Sequence, residues 1–189
     1  MKNGFGIGWE EILHILVSVV TISIAFTLFD DFTFDKFFLI LITVGTAFIL
    51  HELGHRSVAI AYGAKARYQA WTLGLFLALV MAFFTSGQFV FAAPGAVYIF
   101  GPHLTREQNG KIALAGPMVN LLLAIFFLFA LQFSFLPTAL AATGFMINAF
   151  LGAFNMIPFP PLDGSKVSEW NRSIWLFFFL IFVGLFFLI

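Results

Sequence analysis

The pentapeptide HELGH at residues 51–55 sets two imidazoles four positions apart, with a carboxylate next to the first. On a helix, residues at that spacing lie on one face about one turn apart, so His51 and His55 can share one zinc ion. Glu52 can then accept a proton from a water held at the metal. On an exposed helix such a short pattern arises by chance. Here it lies within a hydrophobic run, where a charged carboxylate at mid-bilayer costs on the order of 2.5–3.5 kcal/mol. Arg56 adds a further charge beside it. That cost makes a neutral accident hard to sustain.

Catalytic zinc commonly takes three protein ligands and leaves one position open. The chain has no cysteine, so a third ligand must be a histidine or a carboxylate. His14, His103, Asp163 and Glu169 are the candidates. Asp163 is best placed, because Pro158, Pro160 and Pro161 break a helix just before it and let the chain turn a carboxylate inward. Read alone, the same Pro-Leu-Asp-Gly stretch also makes an ordinary turn.

The elements that must position these groups are hydrophobic. Of 189 residues, 61% are hydrophobic, 10% charged and 29 are phenylalanine, with a mean hydropathy of +1.03. A soluble domain carries about 25% charged residues. The composition predicts an all-α polytopic membrane protein with about six hydrophobic segments. These run over residues 11–28, 37–62, 71–84, 105–133, 138–155 and 173–189, and the fourth opens on a capping signal at Thr105. An acidic turn at Asp30, Asp31 and Asp35 follows the first, and a basic turn at residues 63–67 follows the second. Residues 71–84 are short for a span. Residues 88–100, β-branched and aromatic around Pro94-Gly95, predict a short membrane-associated β-hairpin or re-entrant loop. No repeat, linker or soluble accessory domain is read, and residues 1–189 are expected to form a single integral-membrane domain.

Lys65, Arg67, Arg106, Lys111, Lys166 and Arg172 fall in three loops, which the positive-inside rule places in the cytoplasm. The segment from Trp71 to Phe100 must then leave and return on one side. Non-helical backbone at that depth must be buried in protein or line a wet cavity. A cavity beside the hairpin, with the active site toward the cytoplasmic side, is therefore expected. A net charge of zero gives no sign of a nucleic-acid partner. His14 reads as packed or interfacial, His103 as solvated, and Arg56 as snorkelling or paired with a carboxylate. Phe126, Phe127 and Phe177–Phe179 read as lipid-facing bulk.

HELGH on a membrane helix, followed far downstream by NMIPFPPLDG at residues 155–164, resembles the site-2 protease family of intramembrane zinc metalloproteases. AGPMVN at residues 115–120 matches that family's Gly-Pro motif opening a helix. The resemblance covers residues 43–172. It implies zinc, one per chain, on His51, His55 and Asp163, with Glu52 as catalytic acid/base. Asn155 matches the motif asparagine thought to stabilise the substrate carbonyl or oxyanion, although a helix–helix hydrogen bond would hold it equally well. The segment 71–84 is longer than a compact member needs.

The activity implied is hydrolysis of peptide bonds within or near transmembrane segments of substrate proteins in the lipid bilayer. Two other readings use the same ligands. A membrane-anchored zincin acting on extramembrane peptides would draw its third ligand from a downstream glutamate helix, and neither Glu107 nor Glu169 sits in such a motif. A metal transporter or scaffold would show inverted repeats or ionisable groups along a path, and the sequence has neither.

Overall fold

A computed structural model describes residues 7–28, 32–91, 93–101 and 103–188. The elements run α1 (Trp9–Thr27), α2 (Phe34–Ala61), β1 (Lys65–Ala70), α3 (Thr72–Phe84), β2 (Gly95–Phe100), α4 (Arg106–Phe133), α5 (Thr138–Asn155), α6 (Asp163–Trp170) and α7 (Arg172–Leu185). The acidic pair Asp30 and Asp31, Pro102, residues 1–6 and Ile189 lie outside the described residues. Asp35 falls in the first turn of α2, where a carboxylate suits the helix dipole.

Helices α1, α2, α4 and α5 are long and apolar enough to cross a membrane. By contrast α3 and α7 have 13 and 14 residues. That is about 20 Å of helix against a hydrocarbon core of ~30 Å. Of the six or so hydrophobic segments expected, four therefore have spanning length among the described residues. Several starts are chemically marked. The Thr33 hydroxyl accepts from the Lys36 amide at 3.3 Å. Thr105 and Gln108 form the expected capping box, with bonds of 3.1 and 2.9 Å. Asn171 caps α7 through the Ser173 and Ile174 amides.

The expected hairpin within residues 88–100 does not form. The strand β2 pairs instead with β1, antiparallel from Lys65↔Phe100 to Ala70↔Gly95, with all of α3 between them. Residues 89–91 belong to no strand. The basic turn continues as β1, where Ala66 and Tyr68 are buried and Lys65 and Arg67 exposed. Period-two alternation over six residues is too short to announce itself when its partner lies 25 or more residues away. Lys65 faces Phe100, so the stretch 65–100 begins and ends side by side.

Helix α2 packs against α1, α4 and α5, and α4 in turn against α5 and α6. In lipid, tails solvate apolar side chains as well as protein does, so close approach through small residues holds helices together. A Cβ on Gly54 would sit 2.9 Å from the Ala115 carbonyl oxygen. Glycine there brings α2 and α4 into backbone contact. The phenylalanines divide. Phe126 and Phe177 are exposed, whereas Phe127 is buried, directly over Gly144. Phe178 and Phe179 pack on the α4–α7 core, and Phe179 also stacks on Trp175. Reading all five as lipid-facing is thus corrected. Composition cannot tell which side of a wholly apolar helix meets its neighbours.

Polar groups tie α1 to the rest. Buried Glu11 takes Arg56 of α2 at 2.5 Å and, through the same Oε1, the Tyr68 amide of β1 at 2.9 Å. His14 Nδ1 accepts from the Ala70 amide at 3.3 Å, and Ser18 Oγ bonds the Tyr68 hydroxyl at 2.7 Å. The Glu10–Arg67 pair nearby is exposed. Glu11→Ala removes the carboxylate that Arg56 and the Tyr68 amide share, and is expected to cost on the order of 3 kcal/mol. Glu10→Ala should cost under about 1 kcal/mol. Thermal unfolding of both variants in detergent compares them directly.

Candidate metal centre

His51 and His55 sit on the inward face of α2, both buried. His55 lies six residues before the helix end at Ala61, about 9 Å along the axis. Asp163 opens α6, just after the proline-rich turn 158–161, whose Pro160-Pro161 bond is cis. That turn brings a residue more than a hundred positions downstream onto the HELGH face.

The three side chains converge. His55 Nε2 lies 3.0 Å from His51 Nε2 and 3.1 Å from Asp163 Oδ2, which is itself 3.3 Å from His51 Nε2. Among the described residues they are the group of histidine and carboxylate side chains able to hold a metal. Tetrahedral zinc with bonds of ~2.0–2.1 Å separates its ligand atoms by about 3.3 Å. The triangle has that size.

Its chemistry agrees. His55 Nδ1 lies 2.7 Å from the Ile112 carbonyl, which only accepts, so Nδ1 carries the hydrogen and, in the neutral ring, Nε2 a lone pair. His51 Nδ1 lies 2.5 Å from Asn120 Oδ1, an arrangement of the same kind. Three lone pairs therefore point at one spot, which a cation stabilises. Two imidazoles and one carboxylate suit zinc or a neighbouring divalent transition metal.

Two further observations fit. A Cβ on Gly116 would lie 2.4 Å from His55 Nε2 and 2.5 Å from His51 Nε2. The glycine of the Gly-Pro motif thus clears the space at the ligand atoms, beyond the helix-packing use its small size suggests. Pro117 follows; lacking an amide hydrogen, it leaves the carbonyl of Ala113, the residue after Ile112, without its helical donor. Glu52 Oε2 is buried with no hydrogen-bond partner, beside the triangle and unengaged.

The centre opens on a cavity of about 470 Å³ bounded by β2, α2, the proline turn and α6. Glu52 and Asn155 line it, and the Asn155 amide donates to the Leu151 carbonyl at 2.9 Å. Lys166 lines it as well, one turn beyond Asp163, and was not singled out by sequence. His14 does not join the group; it accepts at the edge of β1. His103 and Glu169 are exposed. Arg56 is paired with Glu11. Asn120 and Gly116 were overlooked as parts of the centre, although both lie in the AGPMVN motif.

Comparison with known proteins decides the family. The profile of Peptidase family M50 matches residues 38–143, more than half the chain. The chain belongs to peptidase family M50, the site-2 protease family. This M50 chain is 45% identical over 175 residues, 90% of each sequence, to the protein named "Putative zinc metalloprotease MJ0611" of Methanocaldococcus jannaschii. It is 28% identical to "Zinc metalloprotease MJ0392" of the same organism, over 83% of this chain and 40% of that protein. "Putative zinc metalloprotease YwhC" of Bacillus subtilis is 31% identical over 69% of this chain and 67% of its own length. No solved structure matches. The family and the four apolar helices make the M50 chain a membrane metalloprotease.

Gly116→Ala is expected to weaken zinc or cobalt binding at least tenfold, because its methyl group would fall on both Nε2 atoms. Metal titration against a competing chelator, with a melting curve to verify the fold, tests this.

Proposed function

We propose that the chain is an intramembrane zinc metalloprotease, hydrolysing peptide bonds within or near transmembrane segments of other membrane proteins. The observation that carries the reading is the convergence of His51, His55 and Asp163 at ligand spacing on a membrane helix, beside an unpartnered Glu52. Zinc held by those three residues would polarise a peptide carbonyl and make water a nucleophile near neutral pH. Glu52 takes the proton from the attacking water and passes it to the leaving amine. Asn155 Nδ2 has two hydrogens and gives one to Leu151. The other is available to a developing oxyanion.

A peptide bond inside a helix is hydrogen-bonded and shielded, so the substrate must unwind before attack. The sheet supports a way to do so. The Trp71 amide donates to the Pro94 carbonyl, while the Tyr68 and Ala70 amides turn away to α1. In an antiparallel ladder, bonded and non-bonded pairs alternate. Val97 and Ile99, opposite Tyr68 and Ala66, therefore aim their amides and carbonyls away from β1, along the edge that borders the cavity. An extended substrate segment can add there as a further strand. The basic loops around β1, α4 and α6 support placing this centre on the cytoplasmic side.

Zinc content and cleavage of a transmembrane test substrate, compared for the wild type and Glu52→Gln in detergent, test the reading. One zinc in each is expected, with cleavage reduced at least about a hundredfold in the variant and abolished by chelation. Zinc retained without cleavage of any of several substrates would favour transport or scaffolding. No zinc in either protein would overturn the reading. Val97→Pro removes an outward amide and leaves the β1 ladder intact. It should preserve zinc content and lower cleavage, whereas unchanged cleavage would rule out strand addition at β2.

A further inference from the structure

Beside the metal triangle, two asparagines are completely buried in the bundle, Asn120 on α4 and Asn148 on α5. Neither touches the cavity. A buried amide without partners is costly in lipid, so each of its hydrogen bonds should be accounted for. Asn148 Nδ2 donates to the Gly144 carbonyl at 2.8 Å. Asn120 Nδ2 donates to Asn148 Oδ1 at 3.0 Å and to the Ala47 carbonyl of α2 at 3.2 Å. Asn120 Oδ1 then meets His51 Nδ1 at 2.5 Å.

The direction of this chain is fixed by its ends. Gly144 and Ala47 present backbone carbonyls, which accept and never donate. Asn148 must therefore turn its nitrogen to Gly144 and its oxygen to Asn120. Asn120 must turn its nitrogen to Asn148 and Ala47, which leaves only its oxygen for His51. A bond at that point requires the hydrogen on His51 Nδ1, so the neutral ring keeps its lone pair on Nε2, the atom facing His55 and Asp163. Flipping either amide sets carbonyl against carbonyl at a buried contact.

We infer that Asn120 and Asn148 are positioning residues of the metal centre. They form a two-amide relay across α5, α4 and α2 that locks the ring of His51 in its metal-binding tautomer. The inference rests on His51 being a ligand. Outer partners of ligating histidines fix the tautomer and ring angle, and losing one costs about 10–100-fold in metal affinity. His55 receives the same service from a backbone carbonyl, which substitution cannot remove. His51 depends on side chains, so the relay is the part of the centre open to mutation without touching a ligand.

The test uses the full chain in detergent with nitrogen-15 histidine, read in the metal-free form for the tautomer and by chelator competition for zinc affinity. Wild type should show His51 with its hydrogen on Nδ1. Asn120→Leu should lose that preference and bind zinc about 10–100-fold more weakly. Asn148→Leu touches neither ring nor metal and should shift both readouts the same way by a smaller factor; it carries the test if Asn120→Leu does not fold. A folded leucine variant with wild-type tautomer and wild-type zinc affinity overturns the relay, whatever its melting temperature. A wild type that binds no zinc would instead defeat the proposed function, and the metal-free tautomers would still decide the relay.

Discussion

Inside a hydrocarbon layer every polar atom must find its partner in the protein, and most of the described architecture follows from that demand. The HELGH face of α2 brings two imidazoles and a carboxylate into the bundle. Each ring nitrogen turned away from the centre is matched by an oxygen on a different part of α4, Asn120 for His51 and Ile112 for His55. Matching them requires α4 to lie close against α2, and Gly54 and Gly116 make that approach possible. The packing of α2 on α4 and the orientation of both imidazoles are thus set together. A change that separates the two helices would pull both rings from their partners.

The same demand explains α1. Arg56 follows His55 directly, so a guanidinium enters the bundle wherever the metal face does. Glu11 meets it and simultaneously takes the Tyr68 amide, so the carboxylate that answers Arg56 also fixes the height of β1 relative to the centre. Tyr68 is anchored a second time through Ser18. The strand that borders the cavity is therefore held, through β1, by a helix that contributes no ligand.

How far this was legible in the sequence depended on distance along the chain. HELGH and PLDG are local patterns whose chemistry is set by spacing within a helix or turn, and they pointed to groups that the fold brings within 3.3 Å of one another. The capping box at Thr105 is local in the same sense. The relay is not. Asn120 stands 69 residues from His51 and 28 from Asn148, and an asparagine in an apolar helix looks the same whether it serves a ligand or a neighbouring helix. The strand β1 escaped notice because its charges read as a loop, and its partner was sought next door rather than across α3. Burial of Phe127 depended on Gly144, a residue on another helix. Contacts between elements decided all three.

A sheet of two strands has two rims, and each is a template for foreign backbone. Here Glu11 and His14 cover one stretch of the β1 rim by accepting the Tyr68 and Ala70 amides, while the rim of β2 borders the cavity that holds Glu52. An extended chain that joins this sheet at β2 arrives alongside the His51–His55–Asp163 group. In the proposed reaction, capture and presentation would then be a single event.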